Sequence, residues 1–155
     1  MATTPVKRAH LGLAGLWFAG LLVVSARGPA VAQEGATTVW DGVYTAEQAD
    51  RGAAIYKREC ASCHGDGLNG VDESPALVGS TFLSNWNAQT VADLVDLTRK
   101  SMPKDNENTL TRQQYIEVTA HMLRANGFPA GTTDLPSNAL RLGQIRIDAF
   151  RDAKR

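Results

Sequence analysis

The cysteines of the chain are Cys60 and Cys63, and the run they open reads Cys60-Ala61-Ser62-Cys63-His64. Two thiols at this spacing, followed at once by an imidazole, fit the covalent attachment of a haem. The thiols add across the two vinyl groups on one porphyrin edge, and the adjacent histidine turns its ring under the iron. Three other uses fit less well. A thioredoxin-like pair needs a βαβ setting, whereas the residues before Glu59 read as a helix with no apolar strand ahead of it. A structural zinc site wants four ligands, and beyond the first 32 residues the Cys/His donors are Cys60, Cys63, His64 and His121. A plain disulfide leaves His64 without a purpose. The following run, Gly65-Asp66-Gly67-Leu68-Asn69-Gly70, supplies permissive backbone that can curl around the haem edge and bring a carbonyl to the histidine's free ring nitrogen.

A low-spin haem that moves electrons needs a sixth ligand, and a methionine there raises the reduction potential because its thioether favours ferrous iron. Met102 is the expected ligand. It sits in the polar run Lys100-Ser101-Met102-Pro103-Lys104, 38 residues past His64, and the proline holds it extended. Met122 and His121 lie beside Leu123 in a helical pattern and read as core packing, and they remain alternatives together with an open sixth position. Arg99, Lys100 and Lys104 flank Met102 and are expected to form a basic rim that steers an acidic partner, with a solvated loop as the competing reading, since Asp105 and Glu107 are close by. The acidic pairs Asp72-Glu73 and Asp105 with Glu107 have no histidine or lysine in a pocket signature and read as solvated charges.

Three main helices must position these groups. The first starts at Thr45, where Gln48 completes a capping-box pattern, and runs through Ala49, Gly52, Ala53 and Tyr56 into the haem motif. The second starts at Thr90 with Asp93 three residues on, carries Val91, Leu94, Val95 and Leu97, and ends before Met102. The third starts at Thr111 with Gln114 three residues on, shows Tyr115, Ile116, Val118, Ala120, Met122 and Leu123, and stops at Gly127 and Pro129. Strands are expected nowhere, except that Leu140, Leu142, Ile145 and Ile147 in the tail have the alternation of an extended segment.

The N-terminus reads as an export signal. Lys7, Arg8 and His10 precede an apolar run from Leu11 to Val24, and Ala30-Val31-Ala32 offers a small-x-small cleavage site before Gln33. The run has 14 residues, three of them glycine, against the ~20 that a membrane span requires, so an uncleaved anchor is the competing reading. Cleavage after Ala32 leaves 123 residues. Lys7, Arg8 and Arg27 depart with the signal, so 16 basic residues become 13 against 16 acidic ones and the formal net charge becomes −3. No basic stripe is left for a nucleic acid.

These features together resemble the class I cytochromes c: C-x-x-C-H late in a first helix, Met-Pro in a later loop, and a final amphipathic helix. The resemblance spans roughly residues 43–128. It implies an all-α cytochrome c fold around one covalent haem c, with His64 and Met102 as axial ligands and the first and last helices crossing at Gly52. In the last helix the family places an aromatic at this crossing, and His121 takes that place here, read as a packed neutral ring. The expected division is residues 1–32 as signal peptide, 33–43 as linker, 44–128 as cytochrome domain and 129–155 as an extended tail. The stretch from Met102-Pro103 to Asp134-Leu135-Pro136 resembles the cytochromes that accompany quinoprotein alcohol or sugar dehydrogenases. That resemblance implies a periplasmic carrier, not an enzyme itself, taking electrons from a dehydrogenase and passing them to an oxidase or another cytochrome. Membrane attachment would follow only from an uncleaved N-terminus. The alternative function is a haem-based ligand sensor or small haem enzyme with a displaceable sixth ligand.

Overall fold

A computed structural model describes Met1 and residues 37–151, so the expected signal peptide lies outside the described residues apart from Met1. The order of elements is β1 (Thr37–Thr38), a 3-10 turn (Val39–Asp41), α1 (Ala46–Glu59), α2 (Ala61–His64), α3 (Gly79–Trp86), α4 (Val91–Ser101), α5 (Arg112–Ala125), α6 (Ala139–Leu142) and β2 (Ile145–Arg146). The chain is thus mostly helical, with a first and a last main helix packed across each other. Among the described residues no helix is long and apolar enough to cross a membrane.

The close approach of α1 and α5 depends on a missing side chain. A Cβ at Gly52 would overlap the carbonyl oxygen of Glu117 and stand 3.1 Å from the His121 Cβ. Glycine therefore permits the backbone contact, at the conformational cost it carries inside a helix. Around the crossing, Ala49, Ile55, Tyr56, Tyr115, Ile116, Val118, Ala120, Met122 and Leu123 are buried and form the centre of the core.

Two of the three capping boxes expected at the main helices are complete. Thr90 with Asp93, and Thr111 with Gln114, exchange side-chain and backbone bonds in both directions. At α1 only half the box forms. The Thr45 hydroxyl accepts from the Gln48 N–H, but the fully buried Gln48 side chain is used elsewhere. Its amide donates to the Leu135 carbonyl (3.2 Å) and accepts from the Leu135 N–H (2.7 Å). A buried backbone amide in the tail needs partners more than a solvated helix start does, and the glutamine supplies both.

The tail is consequently folded onto the domain instead of extended. Leu135, Leu142, Ile145 and Ile147 are buried, whereas Leu140 is exposed. Asn138 caps the short α6, and β2 lies parallel to β1 with Thr37 opposite Ile145. Residues 37–43, part of the stretch read as a linker, also join the core: Thr38 and Val39 are buried, and the Trp40 ring meets Phe128 edge-on at 4.9 Å. The Trp40 indole N–H donates to the Asp148 carbonyl (2.9 Å). Helix α3 was not legible in the sequence, because it begins at Val78 without a side-chain cap and holds only Phe82 fully in the core.

Candidate haem site

Cys60, Cys63 and His64 share a single sharp bend between α1 and α2. The Cys60 N–H closes α1 on the Tyr56 carbonyl (2.9 Å), and the Cys60 carbonyl accepts from both Cys63 (3.1 Å) and His64 (2.9 Å). Both cysteines are free thiols, Cys63 exposed and Cys60 half-buried. Burial, with the neighbouring Glu59 carboxylate and Cys63, pushes the Cys60 thiol up to about 11. A dithiol exchange centre needs one thiol stabilised as thiolate, which is the opposite environment.

The glycine-rich run does what its composition suggests. It turns back so that Gly70 donates to the His64 carbonyl (2.9 Å) and Leu77 to the Leu68 carbonyl (2.8 Å). At Gly70 the backbone is left-handed (φ +76°), and a Cβ there would meet the backbone of residues 74–76. The fold-back delivers the Pro75 carbonyl to the buried His64 ring, 2.9 Å from Nδ1. A carbonyl only accepts, so Nδ1 carries the hydrogen and Nε2 is left with its lone pair. Tyr56 completes the bend. Its hydroxyl donates to the Gly65 carbonyl (2.7 Å), and burial raises the phenol to about 12, so it stays a donor.

Met102 ends α4. Its N–H bonds the Thr98 carbonyl (2.9 Å), its backbone is extended (φ −134°, ψ 149°), and its carbonyl accepts from the buried Tyr115 hydroxyl of α5 (2.8 Å). The thioether is half-buried. Met122 and His121, the alternative ligands, belong to the α1–α5 crossing. Met122 is fully buried in the core, and the His121 ring lies 5.3 Å from that of Tyr56. Burial and the Arg124 charge hold the His121 imidazolium form down, which agrees with a packed neutral ring. Lys100 and Lys104 are exposed, but Arg99 is half-buried and its Nε has no acceptor among the described residues.

The donor set fits a covalently held haem. The two thiols are unpaired, the imidazole presents a fixed tautomer, and on α4 the buried Nε of Arg99 has no acceptor among the described residues. Among the described residues no group of three or more His, Cys, Asp or Glu side chains gathers that could hold a metal ion by itself. Pro75 and Tyr115 are the supporting residues that sequence reasoning missed, since each acts by a single backbone contact with no characteristic spacing.

Residues 47–122 match the family model described as cytochrome c oxidase, cbb3-type, subunit III. A solved structure, the sulfane dehydrogenase SoxCD from Paracoccus pantotrophus, is similar at 26% identity with a TM-score of 0.42, over 57% of this chain and 53% of that one. The chain therefore spans about half the length of that solved chain. No curated protein matches.

Proposed function

From the premise that the chain carries a class I c-type cytochrome domain with covalently bound haem c, we propose that it is a periplasmic single-electron carrier. In this reading Cys60 and Cys63 form the thioethers, and His64 and Met102 are the axial ligands. The observation that carries it is the His64 ring, buried beside two free thiols and locked by the Pro75 carbonyl with Nε2 as its free donor. Each thiol would add its S–H across one vinyl C=C, with one S–C bond formed and the hydrogen placed on the other carbon, so attachment would consume no oxidant.

A haem held there supplies a one-electron ferric/ferrous couple. The chain's own groups set its balance. The Nδ1–H bond to Pro75 makes the His64 imidazole a stronger donor and so favours ferric iron, while the Met102 thioether favours ferrous iron. The Tyr115 hydroxyl donates to the Met102 carbonyl (2.8 Å) and would hold that ligand's backbone in place. The donor we infer is a periplasmic dehydrogenase of the quinoprotein class that the sequence resemblance implies, and the acceptor a respiratory oxidase or second cytochrome.

The test begins with the holoprotein in acidic acetone, where the haem is expected to stay with the chain. In Met102→Ala the haem should remain attached while the ferric spectrum moves toward high spin and the reduction potential falls. Met122→Ala should keep the low-spin spectrum and lose about 2–5 kcal/mol of stability from the emptied core site. The reverse pattern would sink the ligand assignment, and rapid carbon monoxide binding by the native reduced protein would favour a sensor. A mature protein whose mass begins at Gln33 supports export and cleavage, whereas retention of residues 1–32 points to a membrane anchor.

A further inference from the structure

The Nε of Arg99 is closed off from solvent and finds no acceptor among the described residues. Its neighbours are already engaged. Asp96, one turn earlier on α4, faces Arg112 at 4.0 Å, and Asp93 is taken by the Thr90 backbone N–H (2.9 Å) and hydroxyl (2.6 Å). The carbonyls of Leu97 and Thr98 accept from Ser101 and Met102, and that of Met102 accepts from Tyr115. Arg51 and Arg124, by contrast, each meet a carboxylate at 2.6–2.8 Å. A buried guanidinium nitrogen without an acceptor is costly, so the position implies an anion that the polypeptide does not provide.

We propose that Arg99 binds a propionate carboxylate of the haem. This rests on the reading of the chain as a haem carrier, and it adds a residue that nothing in the C-x-x-C-H or Met-Pro motifs specifies. Arg99 lies one turn before Met102, so the helix that ends in the proposed iron ligand would also hold a propionate. A guanidinium presents parallel donors that match a carboxylate, which makes the contact one of position as well as charge. Its fixed positive charge disfavours the added positive charge of ferric iron and so raises the reduction potential. Any steering of an acidic partner is then left to Lys100 and Lys104, which are exposed.

The experiment compares native holoprotein with Arg99→Gln, Arg99→Lys and Lys100→Gln. It measures covalent haem content, the low-spin spectrum and the midpoint potential at low and high salt. Arg99→Gln should retain its haem and its sulfur ligand while its potential shifts down further than that of Lys100→Gln. The shift should persist in high salt, because a buried pair is screened less than an exposed charge, and Arg99→Lys should recover most of it. Equal shifts for Arg99→Gln and Lys100→Gln, or a shift that salt abolishes, would overturn the proposal. If Arg99→Gln does not accumulate folded, Arg99→Lys decides, since it keeps the charge but not the paired donors: a displaced propionate bending band in resonance Raman with the potential largely kept supports the contact, and an unmoved band refutes it. Native protein without covalent haem would overturn the underlying reading, before any variant is compared.

Discussion

The two residues proposed as axial ligands, His64 and Met102, are held by different means. Around His64 everything is local: Tyr56, Gly65, Gly70 and Pro75 are within eleven residues of the histidine, and their bonds fix its ring. Around Met102 the decisive contact comes from another helix, the Tyr115 hydroxyl of α5, and α5 is in turn placed by its crossing with α1 at Gly52. The histidine side can therefore take shape from a short stretch of chain, while the methionine side requires the assembled core. A perturbation of the crossing should damage the second more directly than the first.

The strongest way to break this contrast is at the crossing itself. Gly52→Val drives a branched side chain into the Glu117 backbone and should cost more than about 3 kcal/mol. Chemical denaturation should show it, together with loss of the sulfur-ligated spectrum while haem stays covalently bound. Retention of native stability would mean that α1 and α5 do not approach as described.

Gly70→Ala tests the local side alone. The added methyl meets residues 74–76 in a left-handed conformation, so it should cost about 1–3 kcal/mol and pull the Pro75 carbonyl from His64. With a weaker imidazole donor the potential should rise while the methionine ligation persists. A fall in potential would contradict the role given to Pro75.

Tyr115→Phe tests the other side and should be milder, about 0.5–1.5 kcal/mol for one hydrogen bond. Thermal titration followed at the sulfur-ligand absorption should lose that signal earlier than in native protein, with His64 ligation unaffected. Simultaneous loss of both would show that the two sides are not separable.

The smallest effect is one of pH. The folded chain holds His121 neutral, with its pKa below the ordinary histidine value. In the window between the folded value and ~6.5 the unfolded chain binds more protons, so stability is fully present above 6.5 and is lost as pH falls through the folded value. His121→Gln should flatten that slope in denaturation series run across pH 5–7. An unchanged slope would place its origin elsewhere.

The same contrast explains what the sequence disclosed. Cys60, Cys63, His64 and the three main helices were legible because spacing, periodicity and caps are local properties, and Gly52 was legible through the family resemblance. Pro75 and Tyr115 were not, because a carbonyl or a hydroxyl that makes one long-range bond leaves no pattern. The Thr45-x-x-Gln48 run was misleading for a related reason. Its glutamine has two possible partners, and only the folded tail shows that Leu135 takes it. Arg99 read as a rim charge because sequence records a cation without recording which way it faces.

The pairing of β1 with β2 bears on the order in which the chain closes. Thr37 and Ile145 are 108 residues apart, and joining ends over such a span costs roughly 4 kcal/mol in chain entropy. Two residue pairs cannot repay that from an open coil. The contact becomes affordable only after α1 and α5 have collapsed and shortened the effective loop, which makes the small sheet a late clasp. As the last part to close it should be the first to open, and amide exchange in β2 (Ile145–Arg146) should outpace that of the helical core while the haem remains bound.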